Sequence, residues 1–335
     1  MLTFTLRRLL LAIPTLLVIS LVIFLLVDLA PGSPMSEIPL TVPPDVRQKM
    51  IEALGADQPV FVRYFLWLRQ FFWVEPAYLL DGWFGTSLAG DEQRILSWQS
   101  RSPVFTIIGQ RVPQTLTVIG TAYLIGILIA VPIGIYSAYR QYSWFDQAGT
   151  LFAMIGFSVP TFFSGTLFII IFAVWLGWFP TKYDTTLNVT DWQSFVKQMQ
   201  QMALPVMTLG LANAAAISRY MRSSMLENMG QDYVRTARAK GMSERTVVLK
   251  HVLRNSMIPV VTVIALGIPS IFGGAIITEN LFGVNGIGAA LIGAIHANDI
   301  PMVQTLAFIF AILIVIFNLI ADVLYGLLDP RIRYE

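Results

Sequence analysis

This sequence contains no cysteine and only two histidines, His251 and His296, among its 335 residues. The absence of cysteine excludes disulfides, thiolate metal sites and cysteine nucleophiles. Two histidines do not favour an imidazole metal cage. We expect neither a metal nor a cofactor. The phosphate-binding pattern G-x-x-x-x-G-K-[S/T] is also missing, so ATP must be handled by another chain if the protein uses it.

Charge is scarce as well. Charged residues make up 13% of the chain and hydrophobic residues 56%, with a mean hydropathy of +0.67. Soluble domains carry roughly 25% charged residues, so this chain cannot cover a soluble surface of its size. The net charge of +2 gives no indication of a nucleic-acid partner. The composition therefore predicts a helical membrane protein.

The apolar residues fall into six long segments, as helical membrane spans require. They occupy residues 9–29, 116–137, 148–176, 202–217, 257–278 and 302–328. We expect the first to be an uncleaved helix, because it is long enough to span and Ala30-Pro31-Gly32 is a poor cleavage site. Pro160 is expected to kink the third. We expect the chain to divide into an N-terminal transmembrane helix (1–30), an external region (31–111) and a transmembrane domain (112–328) that includes the cytoplasmic loop 218–256.

Basic residues are distributed unevenly between the spans. Segments 1–8, 139–147, 218–256 and 329–335 hold 13 lysines and arginines in 63 residues, whereas the intervening segments hold 9 in 134. This roughly threefold difference in density predicts that the first set is cytoplasmic, since cytoplasmic loops are enriched in basic residues. Both termini are then inside. The aromatic-rich stretch 61–73 is external, and we expect a helix at the membrane interface there, with substrate stacking as the alternative.

The loop 218–256 is predicted to contain a helix, a glycine turn and a second helix. Gly230 should end the helix that leaves the fourth span, and Asp232 should cap a new helix over 233–240. Gly241 fits the left-handed position that follows a helix. Ser243 is expected to cap the second helix, and Glu244 lies favourably in its first turn.

The second helix of this loop is predicted to be amphipathic, with Val248, Leu249, Val252 and Leu253 on one face. Short helices of this kind are marginal in water, so the pair needs something to pack against. From the residues alone, two interpretations stay open. The loop is either a docking element for a partner protein or a basic loop lying on anionic lipid.

Several segments of the chain resemble one family. Tyr233-Val-Arg-Thr-Ala-Arg-Ala-Lys-Gly241, followed by His251-Val-Leu-Arg-Asn255 and Pro259, is similar to the EAA loop of ABC importer permeases, in particular the dipeptide/oligopeptide/nickel branch. The resemblance extends along the chain through Arg7-Arg8, Pro31-Gly32-Ser-Pro34, Leu54-Gly-Ala-Asp-Gln-Pro59, Arg111-Val-Pro-Gln-Thr-Leu116, Glu279-Asn-Leu-Phe282, Gly286-Ile-Gly288, Asp299-Ile-Pro301 and the C-terminal Asn318, Asp322, Tyr325 and Asp329-Pro-Arg-Ile-Arg333.

This resemblance implies a type I ABC importer transmembrane fold with six helices, in the bacterial inner membrane. It implies four partner chains beside membrane lipid: a second homologous permease, two ABC ATPases and an external substrate-binding protein, with no nucleic acid involved. The chain would not itself be an enzyme. The short helix around Gly241 would be the coupling helix that docks on an ATPase, with the residues Arg235, Thr236, Ala237, Arg238, Gly241 and Leu253 in the coupling loop 218–256.

The sequence also departs from the family pattern. The general motif has Glu-Ala-Ala where this chain has Arg235, Thr236 and Ala237, so the leading charge is reversed. Asn285 replaces a proline that usually follows the fifth span, and residues 76–102 form a longer stretch than is usual in the branch. Because the charge at Arg235 is reversed, any ion pair to the ATPase must differ from that of the general motif.

Alternative functions are a membrane-embedded enzyme and a secondary transporter. The motifs H-E-x-x-H and G-x-G-D are absent, and ion coupling usually needs ionisable residues inside spans. Only Asp28 and Asp322 lie in or near spans, close to their ends. The branch favours di- and oligopeptides as substrates, whereas nickel chelates, glutathione and opine or sugar compounds remain alternatives.

Further residues are predicted to serve transport or stability. Asn213, Ser158 and Ser164 are candidate polar lining residues of the pathway, although small polar residues also serve helix packing in membranes. Asn318 and Asp322 lie one helical turn apart. We expect Asp322 to face protein and to pair with Arg331 or an arginine of 219–222, because a lone carboxylate in lipid is costly.

Overall fold

The computed structural model describes residues 2–29, 58–90, 92–273 and 275–328. Fourteen α-helices are numbered here in chain order: α1 (Leu2–Asp28), α2 (Val60–Arg69), α3 (Glu75–Phe84), α4 (Val104–Thr115), α5 (Thr121–Tyr139), α6 (Trp144–Ser158), α7 (Thr161–Phe168), α8 (Trp192–Met229), α9 (Asp232–Ala239), α10 (Glu244–Thr246), α11 (Leu253–Gly273), α12 (Ile276–Phe282), α13 (Ile287–His296) and α14 (Ile300–Leu328). Wider π-helical turns at Gln70–Val74, Leu116–Gly120, Ile169–Trp175 and Val247–Val252 continue the adjacent helices.

The predicted all-α class is confirmed, since the described part of the chain contains no strand beyond one isolated bridge between Leu96 and Pro103. Among the described residues, five helices are long and apolar enough to cross a membrane: Leu6–Asp28, Val104–Tyr139, Trp192–Met229, Glu244–Pro269 and Ile300–Leu324. Two bent helix pairs could each add one span. The predicted number of six lies within this range of five to seven but is not fixed by it.

The third predicted span is broken where the sequence predicts only a kink. Helix α6 ends at Ser158, Val159 is extended (φ −85°, ψ 122°), and α7 begins at Thr161. The two halves are bent by 105°. Pro160 explains the break, because the residue before a proline avoids the α conformation and proline itself cannot donate to the preceding turn.

The fifth predicted span also ends earlier than expected. Residues 257–278 are predicted as one segment, but α11 ends at Gly273 and Thr278 belongs to the separate helix α12. Helix α12 is followed by Gly283 in the left-handed conformation (φ 72°) and then by α13, at 90° to it. The segment predicted as a simple external loop after residue 278 is therefore largely helical.

The structure divides into two compact units. The first comprises Met1–Leu10, Val112–Ala289 and Leu313–Glu335. At its centre α5 packs against α8, and glycines on α5 allow the two helices to approach closely. A Cβ added at Gly134 would fall 2.5 Å from Cβ of Met221, and one at Gly126 would fall 2.9 Å from Cβ of Asn213. Small residues at such contacts let membrane helices approach closely.

The second unit comprises Leu11–Arg111 and Ala290–Ile312. Its core is aromatic: Phe308 of α14 contacts the rings of Trp67 and Phe71, with centroids 5.2 and 4.9 Å apart. Two buried carboxylates hold the backbone of residues 95–98 in this unit. Glu75 accepts from Ile95 N at 2.8 Å, and Asp299 accepts from Trp98 N at 3.0 Å.

Candidate functional site

Helix α9 lies in the loop 218–256 and has one buried face. Val234 and Ala237, three residues apart, are buried against the π-helical turn 247–252, where Val247, Val248 and Val252 are also buried. Residues three apart share a face of a helix, so α9 is held by its own chain along this line. The opposite face, which carries Asp232, Arg235, Thr236 and Lys240, is exposed.

The sharp turn after α9 is formed as the sequence predicts. Gly241 has φ 74°, in the left-handed region, and its N–H donates to the carbonyl of Arg238 at 2.9 Å. No heavy atom lies within 4 Å of a Cβ added there, so the requirement for glycine is conformational and not steric. Gly230 ends α8, also as predicted.

A salt bridge closes this turn. The Arg238 guanidinium donates to both carboxylate oxygens of Glu244, at 3.1 Å from Nε and 2.6 Å from Nη2. Hydrogen bonding to Glu244 raises the pKa of Arg238. Both side chains are about 40% exposed, so solvent screens the pair and its main effect is to orient the two helices.

Several details of the predicted loop are wrong. Asp232 is the first residue of α9 and makes no cap, because Gln231 occupies the cap position. Ser243 does occupy a cap position, but its hydroxyl contacts that of Thr246 at 2.8 Å instead of a backbone N–H. The predicted apolar face of the second helix is rotated by about one position: Val247 is buried in place of Leu249, which is exposed, while Leu253 packs against the core at partial exposure.

Ala237 also differs from expectation. The resemblance includes Ala237 in the loop that would dock on an ATPase, but only 5% of Ala237 is exposed and it faces its own chain. Its small size therefore allows α9 to pack closely on the turn 247–252. Any partner surface on α9 must be the opposite face.

The base of the loop is tied to the membrane helices by two contacts. The Ser224 hydroxyl donates to the carbonyl of Ser256 at 2.9 Å, which joins α8 to α11. Arg222 Nη2 donates to the buried carboxylate of Asp146 at 2.8 Å, which joins α8 to the start of α6. Breaking a buried ion pair by removing one partner is costly, so these helix ends should move together.

The candidate pathway residues Asn213, Ser158 and Ser164 lie in separate local environments. Asn213 is half-buried on α8, and its Cβ lies against Gly126. Ser158 is exposed at the break between α6 and α7, whereas the Ser164 hydroxyl is used locally, donating to the carbonyl of Thr161 at 3.1 Å.

Asp322 is paired with Arg8, which is not one of the predicted partners. Its carboxylate lies 2.8 Å from Arg8 Nη1, whereas Arg222 pairs with Asp146. Arg331, the other expected partner, lies outside the described residues. Asn318 is exposed on α14, one turn before Asp322.

A hydrogen-bonded cluster around one buried carboxylate, Glu279, was not predicted from the sequence. Glu279 of α12 is fully buried and accepts from the Thr115 hydroxyl at 2.7 Å and from Ala289 N at 2.9 Å. Thr115 in turn accepts from Ile287 N at 2.9 Å. A Cβ at Gly286 would fall 2.1 Å from the nearer Glu279 oxygen. Three of the segments that carry the family resemblance thus meet here. Their shared resemblance was the one feature of the sequence that could have pointed to this contact.

Comparison with known proteins identifies the family to which this chain belongs. The family described as "Binding-protein-dependent transport system inner membrane component" matches residues 130–334, and its N-terminal counterpart matches residues 1–119. The oligopeptide transport system permease protein AppB of Bacillus subtilis (strain 168) is 37% identical over 338 residues, covering all of both chains. The glutathione transport system permease protein GsiC of Escherichia coli (strain K12) is 36% identical over 339 residues, again covering both chains completely.

A solved amino acid ABC transporter structure has a TM-score of 0.48 and 13% identity, covering 66% of this chain and 94% of that one. The assignment does not depend on that structure. The sequence matches and the apolar helices define an integral membrane transport component. The chain belongs to the binding-protein-dependent transport system inner membrane component family and is a permease subunit of an ABC importer, which works with other subunits.

Proposed function

We propose that this permease transmits ATPase motion to its membrane helices through α9, and that it carries di- or oligopeptides. The observation that supports the proposal most is the geometry of the loop 218–256. One face of α9 packs on the chain itself, while the opposite face is exposed in the segment that resembles the EAA loop. The ATPase activity then belongs to separate subunits, two per complex, beside a second permease and an external binding protein.

The packing of α9 suits a rigid lever. A two-turn helix is marginal in water by itself, but α9 is held by Val234, Ala237 and the salt bridge from Arg238 to Glu244. A push on its exposed face is transferred through the turn 247–252 to α11, which continues from that turn without interruption. Rigid-body motions of this kind switch transporters between inward- and outward-facing states.

The competing lipid-surface role is less compatible with the charges. Binding to anionic lipid contributes about 1 kcal/mol per lysine or arginine near the surface. Arg238 is paired with Glu244, and Arg235 Nη1 lies 3.6 Å from the Asp232 carboxylate. Two of the three basic side chains of the 233–241 segment therefore have a carboxylate close by, which weakens their attraction to lipid headgroups.

We also propose that both termini are cytoplasmic, in a bacterial plasma membrane. The basic loops support this orientation. The salt bridge between Arg8 and Asp322 supports the placement of both termini on the same side, because it joins the N-terminal part of α1 to the C-terminal part of α14.

The peptide assignment draws on relatives named for oligopeptide and glutathione transport. Glutathione is itself a small peptide-like compound, so one substrate chemistry accounts for both. Nickel chelates and opine or sugar compounds are the weaker alternatives. We retain Asn213, Ser158 and Ser164 as proposed lining residues, of which only Ser158 is exposed at a helix break.

Uptake by reconstituted proteoliposomes tests this function. With the partner permease, both ATPases and the binding protein present, we expect ATP-dependent accumulation of a labelled peptide that unlabelled peptides compete away. Glutathione and a nickel chelate serve as matched competitors and decide the substrate class. Accumulation driven by a proton or sodium gradient without ATP would instead identify a secondary transporter.

A further inference from the structure

The helical stretch 60–84, formed by α2, the π-helical turn 70–74 and α3, contacts the membrane span α1 well below the end of that span. The Tyr64 hydroxyl lies 2.8 Å from the Ser20 hydroxyl and 3.4 Å from the Leu17 carbonyl. Leu17 precedes Asp28, the last residue of α1, by about 16 Å of helix at 1.5 Å per residue. Because the hydrocarbon core is about 30 Å thick, Tyr64 reaches toward its middle.

Contacts with a second span, α14, indicate a similar depth for the stretch 60–84. Phe308 of α14 contacts the rings of Trp67, Phe71 and Phe72, with centroids 4.9–5.8 Å apart. Phe308 lies eight residues after Ile300, where α14 begins, which corresponds to about 12 Å of helix. The Tyr64 contacts with α1 and the Phe308 contacts of α14 both place residues 64–72 beside the membrane helices, within the hydrocarbon layer and not outside it.

The stretch is amphipathic in the opposite sense to a helix on the surface of a soluble protein: its polar side chains face protein and its apolar side chains face outward. Its polar groups face protein: Arg63 donates to Asp28 at 3.0 Å, and Arg94 Nη2 donates to the fully buried Glu75 at 2.7 Å. Its outward face is aromatic, with Phe61, Phe65, Phe72, Trp73, Trp83 and Phe84 all exposed. Arg69, the exposed cation within this face, is neutralised by Glu92.

We propose that the outward aromatic face of residues 60–84 is embedded among lipid acyl chains, as a membrane-inserted element of the segment between the first two spans. Exposed apolar patches of this kind mark membrane or protein contacts. The acyl chains are the occupant that fits, because the stretch lies beside α1, whose own exposed side chains Leu17, Val18 and Leu25 span the same range of depth. An external binding protein in water does not reach that depth.

Single cysteines test this directly, because the chain has none of its own. We would introduce Phe65→Cys and Phe72→Cys separately, with Ser87→Cys and Ser243→Cys as exposed controls on opposite sides of the membrane. In the assembled transporter, the two phenylalanine positions should resist a membrane-impermeant maleimide. Once labelled in detergent with an environment-sensitive dye and reconstituted, they should be quenched several-fold more strongly by acyl-chain nitroxides than by aqueous iodide.

Two outcomes would overturn the proposal. Positions 65 and 72 that react as fast as Ser87→Cys from outside would lie in water. Positions protected from both quenchers would be covered by protein, either the second permease or a binding protein. The two controls test the orientation of the chain independently of the proposed lipid contact. Ser87→Cys should react in intact cells and Ser243→Cys only after permeabilisation, whatever the result at positions 65 and 72.

Discussion

Replacing Gly286 by alanine is expected to destabilise the folded permease strongly. The new Cβ would fall 2.1 Å from Glu279 Oε1 and 2.4 Å from the Thr115 hydroxyl, inside van der Waals contact with both. Moving that carboxylate breaks its hydrogen bonds to Thr115 and Ala289 N, while Ile287 N loses its acceptor if Thr115 moves. Leaving a buried hydrogen-bonding group unsatisfied costs about 1–3 kcal/mol, so the loss of these two hydrogen bonds is expected to cost about 2–6 kcal/mol.

Thermal stability in detergent measures this effect. The fraction of permease that stays monodisperse after heating should fall by at least tenfold at a temperature that the original chain survives. Gly293→Ala is the matched control, because no heavy atom lies within 4 Å of a Cβ there and the residue is in α13. It should be neutral or slightly stabilising, since alanine is favoured over glycine in helices by about 0.5–1 kcal/mol. Equal stability of the two variants would refute the steric account of the cluster.

The second large effect is expected from Ala237→Trp. Ala237 is buried between α9 and the turn 247–252, so an indole ring cannot fit without displacing α9. Overpacking of a core costs about 1–3 kcal/mol and shifts the backbone. We expect α9 to detach locally while the membrane helices stay folded, and we expect transport to fall to background.

Limited trypsin digestion of the purified permease separates loop packing from docking. Detachment of α9 should speed cleavage after Arg235, Arg238 and Lys240 several-fold, in the absence of any ATPase. Ala239→Trp is the matched control, because Ala239 is the exposed last residue of the same helix. It should digest like the original chain. An Ala237→Trp permease with an unchanged digestion pattern and full transport would contradict the packing seen here.

The helix boundaries that depend on local backbone chemistry were largely predictable from the sequence. Glycine at positions 230 and 241 and proline at 160 act within a few residues, because they restrict or release φ and ψ where they stand. The size of the break at Pro160 was not predictable. It depends on how α6 and α7 pack against other helices, which periodicity does not report.

Side-chain direction was less predictable. Ala237 looks equally suited to a partner groove and to an internal contact, and only the position of the turn 247–252 decides between them. The Glu279 and Thr115 contact joins residues 164 positions apart. In the stretch 60–84 the helical period was visible, but whether its aromatic face points in or out depends on the depth of the neighbouring spans.

Co-purification of ATPase subunits tests most directly whether the exposed face of α9 couples this permease to ATP hydrolysis. A tagged permease should bring down its ATPases, and Thr236→Trp, which alters only the exposed face, should lose them while keeping the trypsin pattern of the original chain. The lipid-surface role predicts the reverse: an added tryptophan would strengthen a membrane contact and leave any ATPase bound. Retention of the full ATPase complement and of transport by Thr236→Trp would contradict the coupling role of α9.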